Sequence, residues 1–124
     1  MHHLAQKISD SELEVMKVLW DAGEPLPVTE IRTRLQQRKG WEATTVKTLI
    51  SRLNTKGAVQ QERRNVFYYR PLISDEAYND WAAQDLVDRL FKGSARELVA
   101  ALVRSEGLSP QDIDELRAMF QGED

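Results

Sequence analysis

Val46, Leu49, Ile50 and Leu53 fall at i, i+3, i+4 and i+7, which places them on one buried stripe of a helix. At about 100° per residue, Thr44, Thr48, Ser51 and Thr55 lie opposite that stripe, with Thr45, Lys47 and Arg52 beside them. The outer face is short, hydroxylated and basic, and it contains no glutamate. Helices that need only solubility usually mix Glu with Lys on the outside. No acidic residue occurs anywhere between Ala43 and Gln61. A helix of this kind packs on one side and meets something negative on the other.

Its neighbours give that helix a setting. "SDSELEVMKVLWDAG" has Ser9 followed three residues later by Glu12, the spacing of a capping box, and Gly23 can stop the helix. "EPLPV" is expected to be extended, because prolines two apart exclude a helix interior. "TEIRTRLQQ" places Ile31 and Leu35 four apart in a second helix that ends before Gly40, and Trp41 follows in the link. After Gly57 come "AVQQER" and "VFYYRP", two β-prone runs separated by Arg63, Arg64 and Asn65, so a hairpin with arginines near its tip is expected. Pro71 ends its second strand. The order helix, extended segment, helix, helix, hairpin describes a helix-turn-helix with a wing. Trp41 and Phe67 are read as core, and Tyr68 or Tyr69 as able to contact a phosphate.

The remainder reads as helical. Ser74 caps a helix to about Phe91, in which Tyr78, Trp81, Ala82, Leu86, Val87, Leu90 and Phe91 spread over more than one stripe. "SARELVAALVRSE" sets Leu98, Val99, Leu102 and Val103 on one side. "SPQDIDELRAMF" starts with Ser109 as N-cap and Pro110 at the first helical position, and aligns Ile113, Leu116 and Phe120. Three short helices cannot bury that surface alone: they can fold back on the winged domain or pair with a second copy of the chain, and the second copy is the expected partner. Tyr78, Trp81, Leu86, Leu90, Leu98, Leu102, Ile113, Leu116 and Phe120 are its candidate dimerisation residues. The fold class is mainly α with a small β wing, divided into a winged helix-turn-helix domain over 1–73 and a three-helix dimerisation domain over 74–124.

Charge follows the same division. The 124 residues carry a net −3, made of +4 over residues 1–73 and −7 over residues 74–124. Over Arg32 to Arg70 there are ten Lys/Arg against Glu42 and Glu62. A basic half on an acidic chain fits a polyanion as partner. The absence of cysteine removes disulfides and thiolate chemistry and fits a reducing cytoplasm. No apolar run is long enough for a signal peptide or a membrane span, so no membrane insertion is expected.

Catalysis has little support, and no cofactor is expected. His2 and His3 are the only histidines and read as a solvated end or tag remnant, not a metal pair. Asp85 and Asp88, like Asp112, Asp114 and Glu115, read as solvated helix faces, so no metal site is expected. Double-stranded DNA suits the basic half better. An α-helix fits the major groove, where Thr and Ser hydroxyls, a Thr methyl, Lys and Arg can meet base edges or phosphates. The candidate DNA-binding residues are Thr44, Thr45, Lys47, Thr48, Ser51 and Arg52 on the helix, with Arg63, Arg64 and Tyr68 on the wing.

"ISDSELEVMKVLW", "TTVKTLISRLNTKG", "FYYRPLIS", "FKGSARELV" and "LSPQDIDELRAMF", in this order and spacing from about Ile8 to Phe120, resemble the penicillinase-repressor family of bacterial winged-helix regulators (BlaI/MecI/CopY type). The resemblance, closer to the BlaI/MecI branch, implies a homodimeric repressor on a pseudo-palindromic operator. It implies also that the C-terminal helices interlock two subunits. In the β-lactam branch a sensor-protease pathway cuts within the dimerisation part, and the corresponding bond here is Ala101–Leu102. That branch carries an Asn–Phe pair there, so this chain departs at both positions. The copper branch uses a C-terminal cysteine cluster, which this chain lacks. Two other classes stay open at this point: a winged helix serving as a protein-interaction module, and a ligand-sensing winged-helix repressor of another family.

Overall fold

The computed structural model describes residues 3–122; His2 lies outside the described residues. Among the described residues seven helices and three strands follow one another. They are α1 (His3–Lys7), α2 (Asp10–Ala22), β1 (Leu26–Pro27), α3 (Val28–Lys39), α4 (Ala43–Lys56), β2 (Val59–Arg63), β3 (Phe67–Pro71), α5 (Asp75–Leu90), α6 (Ala95–Arg104) and α7 (Pro110–Phe120). The chain divides into two compact units, Met1–Ala82 and Ala83–Asp124. The division falls inside α5, later than the boundary expected at residue 73.

The first unit is built as the spacing demands. Ser9 Oγ accepts from the Glu12 amide at 3.2 Å while Glu12 Oε1 accepts from the Ser9 amide at 3.0 Å, so the capping box starts α2. Gly23, Gly40 and Gly57 close α2, α3 and α4 in the left-handed conformation. At Gly57, φ is 80° and the Ala58 amide reaches back to the Leu53 carbonyl at 2.9 Å, which turns the chain directly into β2. The core gathers Val15, Met16, Val18 and Leu19 of α2, Ile31 and Leu35 of α3, and Val46, Leu49, Ile50 and Leu53 of α4. Leu26, Ala58, Val59, Tyr69 and Ile73 close it from the sheet side.

The sheet has three strands in the order β1-β3-β2, all antiparallel. The expected hairpin is β2–β3, paired from Val59↔Pro71 to Arg63↔Phe67. "EPLPV" is extended, as expected, and it also pairs with β3 at Leu26↔Tyr69 and Pro27↔Tyr68. Proline is tolerated there because β1 is an edge strand.

Three aromatic assignments need correction. Tyr78 is buried in the core of the first unit, so it does not face a second copy as expected, whereas Trp81 packs against that core but is only half-buried. Trp20, Tyr78 and Trp81 form a chain with ring centroids 5.8 Å apart at each step, and Trp20 Nε1 donates to the Ile73 carbonyl at 2.9 Å. Phe67, read as core, is exposed on the wing: it shares a strand face with the buried Tyr69 but lies two residues nearer the hairpin tip, opposite Arg63. Tyr69, one of the two tyrosines read as able to contact a phosphate, is buried, and its hydroxyl accepts from Gln61 Nε2 at 2.9 Å. Trp41 is half-buried against the core, as read.

At the end of the first unit Ser74 Oγ accepts from the Ala77 amide at 3.0 Å and starts α5. In the second unit Ser94 and Ser109 cap α6 and α7 in the same way. Among its described residues only Val87 is buried, and neither α6 nor α7 buries any side chain. Among the described residues no helix is long and apolar enough to cross a membrane.

Candidate nucleic-acid interface

Burying Val46, Leu49, Ile50 and Leu53 turns the other face of α4 outward. Thr44, Thr45, Lys47, Thr48, Ser51 and Arg52 are all exposed. The α4 N-cap is Glu42, whose side chain caps nothing, and the first turn contains no acid. The first amides of α4 therefore point outward without a side-chain acceptor, which leaves a partial positive charge at that end. Thr48 Oγ1 donates to the Thr44 carbonyl at 2.9 Å.

The wing presents its arginines over aromatic rings. The Arg63 guanidinium carbon lies 5.0 Å from the Phe67 ring centroid, and that of Arg64 lies 4.4 Å from Tyr68. Stacking of this kind steadies a long side chain without neutralising it. Glu62 separates the two. Its carboxylate meets Arg64 Nη2 at 3.3 Å and Arg70 Nε at 3.3 Å, whereas Arg63 has no carboxylate partner among the described residues.

The fold sorts the ten cations of the basic run. Arg34 pairs with Glu30, Arg38 with Asp21, Lys39 with Glu14, Lys56 with Glu12, and Arg64 and Arg70 with Glu62. Among the described residues, Arg32, Lys47, Arg52 and Arg63 have no carboxylate partner. Three of these four are sequence candidates. Arg32 is not, because nothing in its local sequence separates it from the paired Arg34 and Arg38.

Shallow grooves border α4. One of about 500 Å³ is lined by Ser9, Ser11, Trp41, Thr44, Thr45, Thr48, Leu49 and Arg52. A second of about 330 Å³, lined by Thr29, Arg32, Thr33, Gln36, Gln37 and Ala43, joins the start of α4 to α3. A third of about 270 Å³ brings Lys47, Ser51 and Asn54 of α4 against Gln61 and Tyr69 of the sheet. Ser9, Ser11, Arg32, Asn54 and Gln61 thus line the grooves beside α4, although the sequence marked none of them as a DNA contact. Among the described residues no cluster of His, Asp or Glu side chains is placed to hold a metal ion.

The remaining dimerisation candidates belong to the second unit. Leu90, Leu102, Ile113 and Phe120 are exposed, Phe120 at 84%, and Leu86, Leu98 and Leu116 are half-buried. Val99, Val103 and Met119 extend this exposed apolar surface. The Ala101–Leu102 bond lies within α6, where the Ala101 carbonyl accepts from Ser105 and the Leu102 carbonyl from Gly107.

Known proteins share this build. The Staphylococcus aureus (strain N315) methicillin resistance regulatory protein MecI is 30% identical over 118 residues, covering 94% of this chain and 95% of that protein. A Bacillus licheniformis penicillinase repressor is 32% identical over 116 residues, covering 93% and 90%. The solution structure of the DNA binding domain of the repressor BlaI matches with TM-score 0.54 and 35% identity, over 63% of this chain and 94% of that one. The Bacillus licheniformis BlaI monomer in complex with the blaP half-operator matches with TM-score 0.52 and 37% identity, over 58% and 88%. The profile of the penicillinase repressor family aligns with residues 8–122. This chain belongs to the penicillinase repressor family.

Proposed function

We propose that this chain is a cytoplasmic transcriptional repressor that binds a pseudo-palindromic DNA operator as a homodimer. In this reading α4 enters the major groove, and the wing formed by β2 and β3 holds the adjacent backbone. The observation that carries it is the sorting of the cations. The fold pairs six of ten with five carboxylates, Arg64 and Arg70 sharing Glu62, and leaves Arg32, Lys47, Arg52 and Arg63, beside or beyond a hydroxylated helix face, without a carboxylate partner among the described residues. The relatives named as repressors, and the BlaI monomer solved with a half-operator, support the same reading.

The unburied apolar surface of α6 and α7 is the basis for placing the homodimer contact there. Release by a sensor-protease pathway at Ala101–Leu102 would require α6 to unwind locally first. The cut would separate Leu102, Ile113, Leu116 and Phe120 from the DNA-binding unit.

The test is binding to a duplex selected by the protein from a random pool, compared with random duplex. Lys47→Ala is expected to lower the preference for the selected duplex by about tenfold per half-site, the value of a good base contact. Arg63→Ala is expected to weaken both duplexes alike, as a backbone contact does. Selected half-sites should be two-fold related, with centres roughly 34–36 Å apart. If Thr44, Lys47, Thr48 and Ser51 all become Ala and the preference is unchanged, α4 is not the reading element.

A further inference from the structure

Thr48 sits in the middle of the exposed α4 face, between Thr44 and Thr45 one turn before it and Ser51 and Arg52 one turn after. Three of these four neighbours are short, so nothing long keeps a duplex away from Thr48 itself. A free threonine hydroxyl both donates and accepts. Here the donor is already spent, because Thr48 Oγ1 gives its proton to the Thr44 carbonyl at 2.9 Å. The bond draws the oxygen back onto the helix, so of the side chain's two branches the methyl is the one the helix does not engage.

The consequence for base readout is specific. Guanine shows only acceptors, N7 and O6, in the major groove, and a hydroxyl without a free proton gives them nothing. Thymine shows a 5-methyl group, which a threonine methyl can cover. We propose that Thr48 reads a thymine in each half-site through its methyl group, and that its hydroxyl serves the helix instead of the DNA. The proposal rests on the DNA-binding reading above.

Each thymine of the duplex selected from a random pool is replaced in turn by deoxyuridine, which removes only the 5-methyl group. One position per half-site is expected to lose affinity about fourfold, the value of one buried methyl. Changed in both half-sites, it should lose about fifteenfold. Thr48→Ser keeps the hydroxyl without the methyl and should bind thymine and uridine duplexes equally. Thr48→Val keeps a methyl without the hydroxyl and should preserve the wild-type ratio. Full discrimination in Thr48→Ser, its loss in Thr48→Val, or no sensitive thymine in a selected duplex would overturn the proposal while leaving DNA binding intact. A pool from which the protein selects nothing overturns both.

Discussion

Leu102→Glu is expected to convert the protein from a dimer to a monomer and to lower affinity for a two-half-site duplex by about 100-fold or more. The physical basis is the second unit, in which only Val87 is buried among the described residues while Leu90, Val99, Leu102, Val103, Ile113, Met119 and Phe120 are exposed. An amphipathic helix pair without a core has little reason to stay folded alone. Covering this surface with a second copy stabilises it at about 25 cal/mol per Å². A glutamate at Leu102 would place an unpaired charge in that contact, which costs several kcal/mol by most measures. The two half-site contacts would then act independently, and the linked gain of roughly 10²–10⁴ would vanish. Sedimentation and operator binding of the same sample report both effects. A wild-type protein that sediments as a monomer at micromolar concentration contradicts the dimer.

Glu12→Gln is the substitution expected to cost the winged unit most for its size, about 2 kcal/mol. Glu12 is 1% exposed, yet it is charged. Burial raises its pKa, but the Lys56 hydrogen bond and the Ser9 amide and hydroxyl outweigh that and hold it below its ordinary value. Lys56 Nζ lies 2.6 Å from Glu12 Oε1 and also donates to the Lys7 carbonyl at 2.8 Å, so one ammonium ties the end of α4 to α1 and α2. Breaking a fully buried ion pair costs about 3–5 kcal/mol. Lys56 keeps some access to water, so the lower range of charged hydrogen bonds, about 1.5–3 kcal/mol, applies. Glu12→Ala should lose about 1 kcal/mol more with the capping box. Because the native pKa is depressed, Glu12's contribution is complete above about pH 4.5 and is lost as pH falls through the lower native value. Denaturant titrations should therefore show wild-type and Glu12→Gln stabilities converging on acidification. A constant gap from pH 7 to pH 3 would rule out the charged pair as the cause.

Local patterns carried much of the architecture. The Ser9–Glu12 box, the α4 stripe and the Ser109-Pro110 start are signals within one or two turns, and each appears as expected. Signals that depend on distant partners were not legible. β1 is two residues long and exists because Tyr68 and Tyr69 pair with it. Tyr78 and Trp81 look like any apolar helix positions until Trp20, some 58 residues earlier than Tyr78, turns out to meet Tyr78, which in turn stacks on Trp81. The charge count over Arg32–Arg70 suggested a large basic surface. Arg38–Asp21 and Lys56–Glu12 join residues 17 and 44 apart, and such pairs reduce that surface to a few positions.

Those few positions give the most direct test of DNA recognition by the winged unit. The four unpaired cations per subunit are Arg32, Lys47, Arg52 and Arg63; with Lys47 on a base edge, the three arginines make six phosphate contacts in a dimer. At roughly −0.9 per neutralised phosphate, log K against log salt should fall with a slope of about −5 on the selected duplex. A variant carrying Arg32→Ala, Lys47→Ala, Arg52→Ala and Arg63→Ala together should lose more than half of that slope. A wild-type slope shallower than about −2, or a variant that keeps the wild-type slope, would contradict DNA binding through this face.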